Sequence, residues 1–299
     1  MRCDLHLHST ASDGTDAPHD LPRLARDAGL SAMALTDHDT TAGLPAAAQA
    51  AAAHDLAFVP GIELSADPLL DRAAARAQPP RRLGTLHILG YFIRHDDEQL
   101  ATVQQWLREA RAQRNPEMID RLNALGMKLD YEEVIALAGG PADGEDGDTI
   151  IGRPHIAELL VRKGYVKSKH DAFRHYLGEG AKAYVRKDRL SAEKAIEAIH
   201  HAGGLALLAH PVQLGLPDHD ALEHVVARLR DLGLDGIETH HSDHRPRDVE
   251  RFTALAQRFE LLTCGGSDYH GTRKAVRLGQ SRVPLAVYDQ LREAHERRG

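Results

Sequence analysis

Apolar and polar positions in the first part of the chain show two kinds of pattern, short apolar runs and helical periodicity. Short apolar runs predict four strands, at Cys3–Leu7, Ser31–Leu35, Leu56–Ile62 and Thr85–Phe92. Helical patterns at Pro18–Ala28 and Leu44–Ala53 separate the first three runs. Because strands that alternate with helices at this spacing are typical of βαβ units, we predict an α/β fold with a parallel sheet or barrel. The polar stretch Ser65–Leu83 predicts a mobile loop.

The middle of the chain is mostly helical in pattern. Helices are predicted at Asp96–Arg114, Pro116–Leu125, Tyr131–Ala138, Pro154–Arg162 and Ser168–Leu177. One short candidate strand, Ala183–Arg186, lies near its end, and Gly139–Asp148 predicts an acidic, mobile loop. We therefore predict that residues 97–190 form a helical insertion.

Alternation resumes after this middle part. The predicted helices are Ser191–Ala202, His219–Leu232, Arg247–Phe259 and Leu285–Arg297, and the predicted strands are Leu205–Ala209, Gly236–Thr239 and Leu261–Cys264. Residues 1–96 and 191–299 are accordingly predicted to be two parts of one α/β domain, with the insertion as a cap on the substrate side.

Composition narrows the possible functions. The net charge of −7 argues against a protein that binds long nucleic acids or anionic membranes non-specifically. Two distant cysteines give no disulfide framework, and no signal peptide or membrane span is visible, so a cytoplasmic location is expected. The 20 histidines are the unusual feature, since histidine is the commonest metal ligand.

Histidines and carboxylates follow the predicted strands at the positions where the strands end. His6 and His8 share one face of the first strand, because alternate side chains point the same way. The other strand-end candidates are Asp13, His38, Glu63, His210, Asp268 and His270. His87 lies inside an apolar run, and we favour a ligand over a core histidine there. In α/β folds the carboxyl ends of strands carry the site, so these residues predict a metal centre.

These motifs resemble, as an ordered set, the PHP (polymerase and histidinol phosphatase) superfamily. The set comprises Asp4-Leu-His-Leu-His-Ser, Ser12-Asp13-Gly14, Thr36-Asp37-His38-Asp39, Gly61-Ile-Glu63, His87, Ala209-His210-Pro211 and Gly266-Ser267-Asp268-Tyr269-His270. The insertion is similar to the branch containing the 3′,5′-nucleoside bisphosphate phosphatases and RNase AM, through Gly152-Arg153-Pro154-His155 and Tyr184-Val185.

The resemblance implies a distorted (β/α)7 barrel with two or three divalent metal ions. One ion would be held by His6, His8, Glu63 and Asp268, a second by Asp13, His38 and His270, and a third by Glu63, His87 and His210, with Glu63 bridging. Many family members have histidine where this chain has Asp13. An oxygen ligand there favours Mn²⁺, with Fe²⁺ or Zn²⁺ as alternatives.

A metal centre of imidazoles and carboxylates suits hydrolysis, because bound ions acidify water and clamp the oxygens of a phosphoryl transfer. We expect Asp13, Glu63 and Asp268 to serve the chemistry, and His241 is a candidate to protonate the leaving group. Asp4, Asp37 and Asp39 flank ligands and could either orient histidine rings or be ordinary loop acids.

The candidate phosphate-binding residues are Arg153, His155, Arg186 and Lys187, in or next to the insertion. Metals for one phosphate and this basic set for another predict an enzyme that removes the 3′-phosphate from nucleoside 3′,5′-bisphosphates. The alternatives are a 5′→3′ exoribonuclease on short oligonucleotides, a histidinol-phosphate phosphatase, and a non-catalytic metal-binding partner module. We expect a small nucleotide or short oligonucleotide as partner, and no membrane or obligate protein partner.

Overall fold

A computed structural model of the chain describes residues 1–68, 84–140 and 150–298. Its strands are β1 (Arg2–Asp4), β2 (Ala32–Leu35), β3 (Ala57–Ala66), β4 (Leu86–Tyr91), β5 (Leu205–Leu208), β6 (Gly236–His240), β7 (Leu262–Gly265) and β8 (Val283–Pro284). They form one sheet in the order β7-β6-β5-β4-β3-β2-β1-β8. The predicted loops at Ser65–Leu83 and Gly139–Asp148 fall mostly outside the described residues, although β3 continues through Ser65 and Ala66.

Helices surround this sheet. They are α1 (Leu21–Asp27), α2 (Leu44–Ala53), α3 (Glu98–Ala124), α4 (Tyr131–Leu137), α5 (Arg153–Arg162), α6 (Lys169–Ala172), α7 (Ala192–His201), α8 (His219–Asp231), α9 (Pro246–Arg258) and α10 (Leu285–Glu296). In the described part of the chain, no helix is both long and apolar enough to cross a membrane.

The sheet closes into a nearly complete barrel just beyond β1 and β7. The amide of Leu5 donates to the Gly265 carbonyl at 3.1 Å, and the amide of Asp268 donates to the His6 carbonyl at 2.9 Å. Gly266 makes this approach possible, because a Cβ on it would lie 2.3 Å from the His6 nitrogen. The predicted α/β barrel is confirmed.

Strand β4 departs from the predicted parallel arrangement. The groups β1-β2-β3 and β5-β6-β7 pair in parallel, whereas β4 is antiparallel to both β3 and β5. Its register places His87 opposite Ser65, two residues beyond Glu63. The start of β4 therefore lies at the same barrel edge as the carboxyl ends of the parallel strands, which brings His87 to the site.

The region between β4 and β5 has a hydrophobic cluster of its own. The first half of α3 packs Leu100 and Leu107 into the barrel core, and its second half packs Met118 and Leu122 into a separate cluster with α4, α5 and Val185. Two predictions made here are wrong. The two helices predicted on either side of Asn115 are one helix that runs through Pro116, and Ala183–Arg186 is not a strand.

Candidate metal centre and adjoining cavity

Glu63 lies at the centre of the histidine cluster. Its Oε2 lies 3.2 Å from Nε2 of His6, 3.2 Å from Nε2 of His8 and 3.0 Å from Nδ1 of His38. Its Oε1 lies 2.7 Å from Nδ1 of His87 and 2.8 Å from Nε2 of His210. A single buried carboxylate thus contacts five imidazoles through both oxygens, as a bridging ligand would.

Asp13 and Asp268 extend the cluster towards the first loop of the barrel. Oδ1 of Asp13 lies 3.1 Å from Nε2 of His270 and 3.9 Å from Nε2 of His38. Oδ1 of Asp268 lies 3.4 Å from Nε2 of His8 and 3.4 Å from Nδ1 of His270. The structure therefore brings together all nine residues that the sequence nominates as metal ligands.

Within the described residues, several buried polar atoms of the cluster make no well-oriented hydrogen bond, although some lie close to the carboxylate oxygens described above. They are both ring nitrogens of His8, Oδ1 of Asp13, Nδ1 of His38 and Nδ1 of His210. Leaving a buried polar group unpaired costs about 1–3 kcal/mol, and a bound cation removes that cost. Ligand atoms come within 4.8 Å of one another in the groups His8-Asp13-His38-His270, His6-His8-Glu63 and His38-Glu63-His87. The donor set fits more than one divalent ion.

The charges of these buried groups also favour bound cations. Burial alone would raise the pKa of Glu63, but the neighbouring His38, His87 and His6 hold it well below its usual value. Despite burial, His270 and His38 lower the pKa of Asp13, and Lys274 and His270 lower that of Asp268. Burial lowers the pKa of His38 to about 3, so that ring is neutral and able to coordinate. Asp268 and Glu63 raise the pKa of His8 to about 9 despite burial, so a metal that binds His8 must displace its proton. The ionised carboxylates and the neutral His38 ring already have the protonation states that a metal requires.

Glu238 on β6 supports the cluster from behind. Its Oε1 lies 3.0 Å from Nδ1 of His6, and its Oε2 accepts a hydrogen bond from the His210 amide at 2.7 Å. A carboxylate at the second nitrogen of a ligand histidine fixes the tautomer and the ring orientation. Glu238 is fully buried, so it contacts the ligands rather than solvent.

The three aspartates considered for this orienting role hold the backbone and side chains of nearby loops. Asp4 accepts hydrogen bonds from the amides of Ser267 and Gly279, both at 2.7 Å. Asp37 accepts from Ser9 and Ser12, in the loop that carries Asp13. Asp39 bonds Ser65 and Arg111. They position the segments from which ligands project.

A cavity of about 430 Å³ opens next to this cluster. Asp13, His38, His87 and His270 form one end of its wall. Eight basic residues among those described also line it and are called the basic wall below: Arg111, Arg114, Arg153, Lys169, Lys187, Arg189, Arg273 and Lys274. In a chain of net charge −7, the cavity thus gathers basic side chains next to the candidate metal ligands.

Comparison with known proteins assigns this architecture to a family. A model of the PHP domain matches residues 4–201. The chain belongs to the PHP domain family. This PHP protein is 31% identical to a 5′-3′ exoribonuclease of Haemophilus influenzae, over 93% of each chain. It is 32% identical to a 3′,5′-nucleoside bisphosphate phosphatase of Chromobacterium violaceum, over 89% of this chain and 86% of that protein.

A solved structure agrees with these relatives. A candidate metal-dependent phosphoesterase from Bifidobacterium adolescentis superposes with a TM-score of 0.82 at 30% identity, covering 97% of this chain and 94% of that one. The PHP resemblance expected from the motifs is confirmed. The PHP protein is a hydrolase that acts on phosphoesters, and it has residue groups that can bind metal.

The predicted substrate-side residues of this PHP protein separate into two groups. Arg153 and Lys187 line the cavity. Arg186 is 60% exposed and lies outside the cavity wall. His155 is fully buried, with Nδ1 accepting from the Gly152 amide at 3.0 Å and Nε2 facing Arg273 at 2.5 Å. Both ring nitrogens of His155 are therefore occupied by the protein itself.

His241 is also enclosed rather than open to the cavity. Its Nδ1 accepts a hydrogen bond from the Asp243 amide at 3.0 Å, so the ring proton belongs on Nε2. That Nε2 lies 3.3 Å from Oδ2 of Asp268. The contact suits a ring that orients Asp268 more than one that delivers a proton to substrate.

The sequence patterns did not identify Glu238, and of the basic wall they identified only Arg153 and Lys187. Glu238 sits in Gly236–His240, where a carboxylate inside a buried strand is a usable signal. Arg111 and Arg114 lie on a long polar helix, where charged side chains are expected to face solvent. Only the tertiary packing of that helix against the barrel places them in the cavity.

Proposed function

We propose that this PHP protein is a metal-dependent phosphatase that removes the 3′-phosphate from nucleoside 3′,5′-bisphosphates, releasing a nucleoside 5′-phosphate. One observation carries the proposal: a single cavity joins the cluster around Glu63 to a basic wall. A substrate with two phosphates fits both ends, since metals neutralise one phosphate and basic side chains the other.

The reacting phosphate belongs at the cluster. The nine ligands named above would hold two or three divalent ions, with Mn²⁺ favoured by the oxygen ligand Asp13. Such ions acidify water and stabilise the charge that develops on phosphorus oxygens. Lys274, whose ammonium group bonds Asp268, adds a positive charge at this end of the cavity.

The second phosphate belongs against the basic wall. Arg114 is only 6% exposed, and its guanidinium bonds the Asn115 amide oxygen rather than a carboxylate. Nζ of Lys187 has no hydrogen-bond partner within the described residues and lies 3.8 Å from Asp39. Burial and the nearby Arg111 lower the pKa of Lys187 well below its usual value. An incoming dianion would pair with the Arg114 guanidinium and would favour the charged form of Lys187.

Phosphate release from adenosine 3′,5′-bisphosphate by the Mn²⁺-loaded protein tests the proposal. We expect inorganic phosphate and adenosine 5′-phosphate in equal amounts, identified by chromatography. A protein that keeps its bound metal but releases no phosphate from this compound contradicts the proposal. We also expect the protein to act in the cytoplasm on small nucleotides.

A second candidate activity is 5′→3′ cleavage of short oligoribonucleotides. The similarity to the Haemophilus influenzae exoribonuclease supports it, and the same site would act on a phosphodiester. A 5′-phosphorylated trinucleotide with and without Mn²⁺ tests it, with release of 5′-mononucleotides as the expected product. The chain's net charge favours short over long RNA.

A further inference from the structure

Phe173 is the only phenylalanine, tyrosine or tryptophan in the cavity wall as far as the described residues show. It begins a π-helical turn, Phe173–Leu177, in which the Gly178 amide donates to the Phe173 carbonyl at 2.8 Å. Single π-helical turns are rare and are often found at functional sites. An aromatic ring in a strongly basic, anion-binding wall is unexpected unless the ligand also has an apolar or aromatic part.

The ring of Phe173 lies between the cavity and the separate hydrophobic cluster with α4 and α5, called the insertion core here. One part of it packs against the hydrophobic cluster that contains Leu160 and Leu177. The guanidinium carbon of Arg153 lies 5.7 Å from its ring centroid. Arg153 also lies 5.9 Å from the ring of Tyr184, so it is placed between two aromatic side chains. These contacts restrict the movement of the Phe173 side chain in the absence of ligand.

Three tyrosines near the cavity or on the insertion have contacts of their own. Tyr91 is fully buried, and its hydroxyl donates to the Leu5 carbonyl at 2.8 Å. The hydroxyl of Tyr165 accepts from the Lys128 amide at 2.8 Å, outside the cavity wall. The Tyr184 hydroxyl accepts from Arg189 at 3.0 Å, and Tyr184 does not line the cavity. Of these rings, Phe173 is the one that lines the cavity.

We propose that Phe173 is the stacking platform for the nucleobase of the substrate. This inference rests on the proposed function, which supplies a nucleotide with two phosphates. Stacking on a phenyl ring tolerates any base, because every base has a π face. The protein would then accept nucleoside bisphosphates with any of the four bases, because this contact contributes affinity without discriminating between bases.

Phe173→Ala and Phe173→Leu test the proposal when each is assayed on two substrates. One substrate is adenosine 3′,5′-bisphosphate, and the other is 1,4-anhydroribitol 3,5-bisphosphate, which has the same phosphates and no base. We expect KM for the nucleotide to rise roughly 5- to 150-fold in Phe173→Ala, with kcat nearly unchanged. KM for the compound without a base should stay at the wild-type value.

An equal rise in KM for both substrates, or no rise for the nucleotide, overturns the proposal. Phe173→Leu keeps an apolar side chain in the insertion core, so it decides the matter if Phe173→Ala does not fold. Tyr165→Ala is the matched control, because it removes a ring outside the cavity wall.

Failure of the proposed function is visible separately, as absence of phosphate release by the wild-type protein. In that case calorimetric titration with adenosine 5′-phosphate and with 1,4-anhydroribitol 5-phosphate replaces the kinetic assay. A loss of affinity in Phe173→Ala for the nucleotide alone supports the platform, and equal affinities of variant and wild type for the nucleotide overturn it.

Discussion

Nδ1 of His6 lies 3.0 Å from Oε1 of Glu238, behind the metal-binding face of the cluster. The other oxygen of Glu238 holds the backbone amide of His210, the residue that follows β5 and Ala209. His210 has a φ of 25° and Asp268 a φ of 57°, both in the left-handed region that non-glycine residues rarely adopt. Two candidate ligands are thus held in costly backbone conformations, which surrounding contacts must stabilise.

Glu238→Gln is expected to weaken Mn²⁺ binding roughly 10- to 100-fold. The amide keeps the shape of the side chain but removes the negative charge that fixes the His6 ring. Metal affinity is measured by calorimetric titration of the metal-free protein. Glu223→Gln, which alters a partly exposed ion pair with Arg258, is the matched control and should bind Mn²⁺ like the wild type.

Asp268→Asn is expected to lower kcat roughly 100-fold or more while the fold persists. Asp268 contacts His8, His241 and His270, so the amide removes a ligand charge at the point where these rings meet. Turnover and circular dichroism are measured together. Wild-type turnover in a folded, metal-loaded variant would show that Asp268 does not serve the reaction, as in a non-catalytic metal-binding module.

Lys187→Met is expected to raise KM for adenosine 3′,5′-bisphosphate roughly 10-fold or more, because a charge-assisted hydrogen bond to phosphate is lost. KM for adenosine 3′-phosphate, which lacks the second phosphate, should not change. Arg186→Met is the matched control, since Arg186 is 60% exposed and lies outside the cavity wall. Equal effects of the two substitutions would contradict the assignment of the second phosphate to this wall.

His155 is expected to make the free energy of unfolding depend on pH. Burial, together with Arg273, lowers the pKa of His155 to about 4, below its usual value of about 6.5. The unfolded chain therefore binds the proton more readily, so the free energy of unfolding falls as pH decreases from about 6.5 to about 4. This one residue contributes at most about 1.4 kcal/mol per pH unit.

Urea unfolding between pH 4 and 7 measures this contribution. The free energy of unfolding should depend less steeply on pH in His155→Gln than in the wild type. His19→Gln, at an exposed position, should keep the wild-type slope. An unchanged slope in His155→Gln would mean that His155 is not held neutral in the fold.

Local patterns predicted the alternating strands and helices and identified the candidate ligands, because this information lies within a few residues. The barrel was implied by the resemblance to the PHP superfamily. The two-residue period of His6 and His8 places both on one face, and Glu63 follows directly from an apolar run. The direction of β4 depends instead on pairing with β3 and β5, which no local pattern encodes. The sequence therefore identified His87 as a candidate ligand but did not predict that an antiparallel β4 brings it to the site.

Helix α3 shows the limit of local signals in another way. Pro116 predicts a break, yet the helix continues, because packing of Met118 and Leu122 into the hydrophobic cluster with α4 and α5 stabilises the turns after the missing hydrogen bond. The same long helix carries Arg111 and Arg114 into the cavity. The position of Arg111 and Arg114 in the cavity wall depends on how segments far apart in the chain pack together. Local sequence patterns do not specify that packing.

The ratio of kcat/KM for adenosine 3′,5′-bisphosphate to that for adenosine 3′-phosphate, measured with the Mn²⁺-loaded wild-type protein, tests the central claim most directly. A basic wall that binds the second phosphate predicts a ratio of roughly 10 or more, with adenosine 5′-phosphate as the product of the bisphosphate. A ratio near one, or loss of the 5′-phosphate instead, would contradict the account.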